Sequence, residues 1–270
     1  MSGIGGRDVP TLRRLGHPAM RYALISDIHG NLPALDAVLS DIAEQRTDAT
    51  YHLGDLVGYA PWPNEVVARI AERGIAGIGG NYDSTVATDY KHCGCRYEDP
   101  HQEALSHLSY AWTRAHVTDE TKRALGALPF RIDVRPLGGH IAGPVLTLLH
   151  GNQTLNTVYV TADRQDDFLS KMAAAVTARA GDLVAFGHTH IAWHRTVDGV
   201  HFVNTGSVGR PKDGDPRAGY VVVHVSHSSV HVELRRVAYD VERSASAIEA
   251  SGLPGEFAEH LRRGSTAVAA

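Results

Sequence analysis

Short apolar runs alternate with helical patterns along this chain, and each run stops in a polar, glycine-containing segment. Arg21-Tyr-Ala-Leu-Ile-Ser26 has the length and character of a buried strand. It leads into Asp27-Ile-His29-Gly30-Asn31. Beyond it, Leu35, Val38, Leu39 and Ile42 share one helical face, with Pro33 in the first turn, where proline is tolerated. The grammar then repeats. Ala49 to Leu53 predicts a strand ending in Gly54-Asp55, followed by a loop and a helix from about Asn64 to Arg73. Gly74 to Ile78 predicts a third strand, ending in Gly79-Gly80-Asn81-Tyr82-Asp83.

The second half continues in the same manner. Thr88 to Pro100 reads as an ordered loop with free thiols at Cys93 and Cys95. Helices are expected near His101 to His116 and Asp119 to Gly126, with Leu105, Leu108 and Trp112 as a core stripe. His101, His107 and His116 read as solvated or capping residues. Phe130 to Val134 and Val145 to Leu149 predict paired strands across a Gly-rich turn, Leu137 to Gly143, and the second ends in His150-Gly151. Asp163 to Ala180 predicts a long Ala-rich helix, and Asp182 to Phe186 a buried strand that stops at Gly187-His188-Thr189-His190. Val200 to Val203 is a strand entering the loop Asn204 to Gly214. Tyr220 to Val225 and Val230 to Val237 alternate as a hairpin, and the chain is helical from about Val241. Strands interleaved with helices define an α/β class. Residues 1–19 lack any period and read as a loose tail, with Met20 as an alternative start. Residues 20–270 read as one domain.

Composition narrows the function. A hydrophobic content of 43% over 270 residues supports a sizeable core. A formal charge of -4 gives no general attraction to nucleic acid or anionic membranes. No apolar run reaches the ~18 residues of a membrane span. Two cysteines make no disulfide framework, which points to the reducing cytoplasm. With His92 they also fall short of the four protein ligands of a structural zinc site.

Seventeen histidines are the unusual number. Several stand where ligand sites of open α/β sheets gather, at the carboxyl ends of strands. Collected in order, the candidates are Asp27, His29, Asp55, Asn81, His150, His188 and His190. Asp/Asn/Gly turn chemistry explains any one of these strand ends; the ordered series calls for another reason. Two carboxylates, an amide oxygen and four imidazoles exceed the needs of one ion but suit two, bridged by a carboxylate. Asp27 and His29, two apart on an extended segment, would face one ion together. Such ligands favour Mn, Fe, Zn, Ni or Mg. A metal pair is a device for in-line displacement at phosphorus by a bridging hydroxide.

Asp27-x-His29, Gly54-Asp55, Gly80-Asn81-x-Asp83, His150-Gly151 and Gly187-His-x-His190 together resemble the calcineurin-like metallophosphoesterase superfamily. The strings SDIHGNLPAL, LGDLVGYAPWPNEV and NTGSVGRPKDGDPRAGY resemble its small YfcE-like branch of bacterial and archaeal phosphodiesterases. The resemblance covers about Arg21 to Asp240. It implies two mixed β-sheets packed as a sandwich and flanked by helices, a four-layer fold. It also implies that Asp27, His29 and His190 bind one ion, that Asn81, His150 and His188 bind the other, and that Asp55 bridges. The implied activity is hydrolysis of small phosphomonoesters or phosphodiesters, nucleotides among them. The alternative is a metal-stabilised scaffold or ligand-binding regulator with weakened catalysis.

One departure concerns proton transfer. Many superfamily members carry a histidine directly after the motif asparagine, and this chain has Tyr82 there, followed by Asp83. A tyrosine is a poor general acid at neutral pH. The proton then comes from Tyr82 with an altered pKa, from a metal-bound water, or from His52 or His92; otherwise good leaving groups are favoured. Arg210 and Lys212 are candidates to meet substrate phosphate, and Tyr59 and Trp62 to stack on a base.

Overall fold

The computed structural model describes residues 19–95, 99–136 and 143–265. The predicted tail before residue 19 and the glycine-rich turn over 137–142 lie outside these residues. Two mixed five-stranded sheets carry the chain. The first runs β10(Val230–Val237)-β9(Ala218–Val225)-β1(Met20–Ile25)-β2(Ala49–His52)-β3(Ala76–Gly77). The second runs β4(Ile132–Val134)-β5(Leu146–Leu148)-β6(Leu183–Phe186)-β8(Val200–Asn204)-β7(Trp193–Val197). β1, β2 and β3 are parallel, as are β5, β6 and β8, while β4, β7, β9 and β10 join antiparallel.

The period of two along the strands sorts side chains into layers. Tyr22 and Leu24 of β1 pack with Leu183 and Ala185 of β6 and Val221 and Val223 of β9, between the sheets. Ala23 and Ile25, one residue out of phase, face α1 (Leu32–Gln45), α2 (Pro63–Glu72), α7 (Val241–Ala250) and α8 (Glu256–Arg263). On the far side, Val184, Phe186 and Phe202 pack on Leu169 and Met172 of α6 (Asp166–Ala175). The four layers follow from that phase, and each buried aliphatic contributes about 1.5–3 kcal/mol.

Three consecutive helices follow β3: α3 (Asn81–Ala87), α4 (Pro100–His116) and α5 (Asp119–Gly126). Asn31 caps α1 by accepting from the Ala34 amide at 3.3 Å. The same side chain donates to the Gly209 carbonyl at 2.9 Å and accepts from the Ser244 hydroxyl at 2.8 Å. It thereby ties the first βα turn to the β8–β9 loop and to α7.

Two local expectations need correction, and one strand is additional. Leu108 is 56% exposed and is no part of the α4 stripe. The buried face of α4 is instead Leu105, Ser106, Ser109, Tyr110 and Thr113, because the Ser109 hydroxyl accepts from the Tyr59 amide at 2.9 Å and two phenols end against Ser106. The helix expected over Asp163 to Ala180 spans only Asp166 to Ala175 and stops where Thr177 turns to φ 59°. Strand β7 was not anticipated, although Asp198-Gly199, at φ 50° and 78°, is a hairpin signal. Asn81, in the polar segment after the third strand, is the first residue of α3. No helix among the described residues is long and apolar enough to cross a membrane.

Candidate metal centre

Strand ends from both sheets converge at one edge of the sandwich. Asp27 and His29 follow β1, Asp55 follows β2, Asn81 opens α3, His150 follows β5, and His188 and His190 follow β6. All seven are buried. Ligand-capable atoms group as Asp27, His29 and His190, and as Asp55, His150 and His188, within 4.8 Å in each set. His188 and His190 thus fall in different groups despite their two-residue spacing.

The two-residue spacing works differently from the extended segment expected. Asp27, His29, Asp55, His188 and His190 all have positive φ, between 50° and 67°. For residues with a Cβ this left-handed conformation costs about 1–2 kcal/mol each. Hydrogen bonds between motifs hold it. The Asp27 amide donates to the Gly54 carbonyl at 3.0 Å, and that of His29 to the Asp55 carbonyl at 3.0 Å. Two glycines make room for the carboxylates: a Cβ on Gly187 would collide with Asp27 Oδ2, and one on Gly80 with Asp55 Oδ1.

Each carboxylate keeps one oxygen tied back to a backbone amide and turns the other towards imidazoles. Asp27 Oδ2 accepts from the Ser26 hydroxyl at 2.5 Å and the His188 amide at 3.0 Å. Its Oδ1 is buried without a hydrogen-bond partner and lies 3.3 Å from His190 Nε2. Asp55 Oδ1 accepts from the Tyr82 amide at 2.9 Å. Its Oδ2 lies 3.7 Å from His29 Nε2 and 3.5 Å from His150 Nε2. One oxygen is therefore nearly equidistant from an imidazole of each group.

The imidazoles are oriented by carbonyls. Nδ1 of His29 faces the Val57 carbonyl at 3.0 Å, Nδ1 of His190 that of Arg210 at 2.6 Å, and Nδ1 of His150 that of Leu53 at 2.7 Å. A carbonyl has no proton to give, so each Nδ1 carries one; the Nε2 lone pairs of His29 and His190 look inward, while Nε2 of His150 faces Asp55 Oδ2 at 3.5 Å. Nε2 of His188 is buried with no partner. Asn81 Nδ2 donates to the Cys93 carbonyl at 3.0 Å and to Cys95 Sγ at 3.1 Å, which turns Oδ1 to within 3.1 Å of His150 Nε2. Cys93 and Cys95 are both free thiols, as expected.

Burial holds the His29 imidazole down to about 4 and that of His188 down to about 3, with His190 well below its usual value, so all three stay neutral. Burial also opposes the His150 imidazolium, yet Asp55 outweighs it and lifts that group to about 9. Asp55 in turn is held well below the carboxylate range, with His150 and His29 overcoming burial. Inward lone pairs, the bare Asp27 Oδ1 and the unpartnered His188 Nε2 are a donor set that cations satisfy, and with Asp55 between the two groups they fit two ions.

The remaining candidates are placed as follows. The Tyr82 hydroxyl lies 3.4 Å from both Ser106 Oγ and Ser109 Oγ of α4, and its ring meets His29 edge-on at 5.5 Å. Burial pushes the phenol well above its ordinary pKa. Asp83 accepts from the Leu56 amide at 2.8 Å and the Gly80 amide at 3.0 Å, bracing the second motif against the third. The His52 ring packs against Gly77. His92 Nδ1 accepts from the Gly94 amide at 3.0 Å. Tyr59 is buried, edge-on to His29 at 4.9 Å. Arg210 is buried and Lys212 half-buried beside the centre. Sequence reasoning missed Tyr159, which stacks on His188 at 4.3 Å, and Phe257 and His260 of α8. Tyr159 sits in an aperiodic loop, so no pattern marked it.

Comparisons with known proteins give the family and the fold. The model for the calcineurin-like phosphoesterase superfamily domain matches residues 20–228, and the chain belongs to that superfamily. An uncharacterised protein of Methanocaldococcus jannaschii is 29% identical over 262 residues, spanning 88% of this chain and 96% of the relative. A metallophosphoesterase from Sphaerobacter thermophilus is 27% identical and superposes with a TM-score of 0.71, covering 91% of this chain and 99% of its own. A hypothetical protein from Pyrococcus horikoshii OT3 shares the fold at a TM-score of 0.77 and 22% identity, over 92% of this chain and 100% of its own. Two candidate metal sites within a family of phosphoesterases define the class of this protein.

Proposed function

We propose that the chain is a dinuclear metal-dependent phosphoesterase acting on small phosphomonoesters or phosphodiesters. Asp27, His29 and His190 hold one ion, Asn81, His150 and His188 the other, and Asp55 spans both. The observation that carries this reading is Asp55 Oδ2, poised between His29 Nε2 and His150 Nε2 at 3.7 and 3.5 Å. Manganese heads the candidate ions, followed by iron, zinc, nickel and magnesium. Bound there, two ions supply Lewis acidity to the phosphoryl group and an acidified water.

The protein's own contribution is to fix the ligands and to shield them. Asp83 braces the loops that carry Asp55 and Asn81. The contacts of the Tyr82 phenol with Ser106 and Ser109 support a site without a general acid at that position. Esters with acidic leaving groups, which need no proton, are accordingly the better substrates.

The test is hydrolysis of bis(p-nitrophenyl) phosphate and p-nitrophenyl phosphate with added manganese, on protein whose metal content is measured. Turnover that scales with occupancy of two ions per chain is expected. Two bound ions without turnover under any divalent metal would establish the scaffold instead.

A further inference from the structure

Arg210 is a cation without a counter-charge. It is 4% exposed, and no carboxylate lies within salt-bridge distance among the described residues. Its guanidinium lies 4.1 Å over the Tyr59 ring and 5.6 Å from that of Phe257. Nη2 faces His260 Nδ1 at 3.2 Å, and Nε has no hydrogen-bond partner. Burying an unpaired charge costs several kcal/mol, and aromatic faces return only part of it. Two residues on, Lys212 is half-buried and likewise has no carboxylate partner among the described residues. Burial beside Arg210 lowers its ammonium to about 8.

These cations face a cavity of about 120 Å³ whose wall includes Tyr59, Tyr159, Arg210, Lys212 and Phe257. The cavity abuts both halves of the metal centre, since Tyr59 touches His29 and Tyr159 stacks on His188. The cation loop is stitched to the same centre. His190 Nδ1 donates to the Arg210 carbonyl at 2.6 Å, and the Lys212 amide donates to the His190 carbonyl at 3.3 Å. The volume is well below the ~300 Å³ at which pockets for larger ligands begin. It admits one compact group, and an unpaired guanidinium with an ammonium selects an anion.

We propose that this cavity is a second anion subsite, and that the substrate is a small phosphoester carrying a further phosphate or carboxylate a short linker away from the scissile phosphoryl group. The proposal rests on the phosphoesterase reading above. The metal centre takes the phosphoryl group to be transferred, and Arg210 and Lys212 take the distal anion. α8, through Phe257 and His260, sets the guanidinium in place.

The experiment measures binding by calorimetry to the metal-loaded full chain with three non-hydrolysable probes: ethylphosphonate, ethane-1,2-diphosphonate and 3-phosphonopropionate. Hydrolysis of 2-hydroxyethyl phosphate, ethylene bisphosphate and phosphoglycolate is followed in parallel. At least tenfold tighter binding of a doubly anionic probe is expected, with the phosphonate and carboxylate arms showing which distal anion fits. Arg210→Gln should bring that ratio to within about threefold of unity. Should that variant fail to fold, Lys212→Gln is expected to reduce the ratio at least threefold. A ratio near one in the wild type, or one unaffected by either substitution, overturns the subsite. Turnover without the ratio would leave the phosphoesterase standing and remove this inference. The ratio without turnover on any ester would leave the anion subsite standing but overturn both the phosphoesterase reading and the substrate inferred from it.

Discussion

The Nε2 atoms of His29 and His190 stand 3.1 Å apart, and neither has a proton to offer the other. Each ring spends its proton on a backbone carbonyl through Nδ1. Two lone pairs at that distance repel unless a cation lies beside them, and the bare oxygen of Asp27 completes the set. We expect His190→Ala to bind one ion per chain rather than two and to lose at least about 100-fold in phosphoester hydrolysis, more than loss of an outer hydrogen bond to a ligand. Metal analysis of the folded variant checks this; two retained ions would remove His190 from the ligand set.

Asp55 should be more sensitive still. Its Oδ2 approaches an imidazole of each group, so Asp55→Ala is expected to abolish turnover and at least one ion together. Full activity in that variant would refute the bridging role.

Tyr82→Phe separates chemistry from packing. The phenol meets only serines of α4, at 3.4 Å. Activity within about threefold of wild type is expected, with a stability loss of about 1 kcal/mol by urea unfolding. A loss of activity on poor leaving groups as large as that of a ligand variant would make Tyr82 the acid.

Gly187→Ala tests the close approach at the centre. Its Cβ would strike Asp27 Oδ2 and Ser26. Overpacking of this kind costs about 1–3 kcal/mol, and the displaced carboxylate should weaken metal binding by at least tenfold in a metal titration. Unchanged affinity would show that Asp27 has slack the structure does not display.

His52 is one of the buried histidines that lower stability in acid. It is buried, its Nδ1 has no hydrogen-bond partner, and burial pushes its pKa down to about 4. The unfolded value is about 6.5. Above pH 6.5 both states are neutral and the residue has no pH effect. As pH falls from 6.5 toward 4, the unfolded chain takes the proton first and stability declines. The loss is about 2 kcal/mol at pH 5 and about 3 kcal/mol once both states are protonated. Urea unfolding at pH 7.5 and pH 5 should show wild type losing about 2 kcal/mol more than His52→Leu; equal losses would disprove it.

The sequence pattern is enough to place β1, α1, β2 and the β9–β10 hairpin: β1 is buried on both faces and reads as a continuous apolar run, while α1 buries one face and writes its period into the residues. It fails where burial is decided elsewhere. Leu108 has the right spacing but the wrong side of α4, since the buried face there serves the hydroxyls of Tyr59 and Tyr82 with Ser106 and Ser109. Asp163 to Gln165 read as helix from composition, but the helix starts only at Asp166.

The ordered strand-end motifs determine the seven candidate ligands and the superfamily, since residue type and order survive in a one-dimensional string. The family resemblance implies which imidazole joins which group; the tertiary structure supplies the physical means, left-handed backbone at Asp27, His29, Asp55, His188 and His190. Only it brings α8 against Arg210, some 50 residues away in the chain. A buried charge without a partner is invisible in sequence, where every arginine looks solvated; burial and the absence of a carboxylate are properties of space alone.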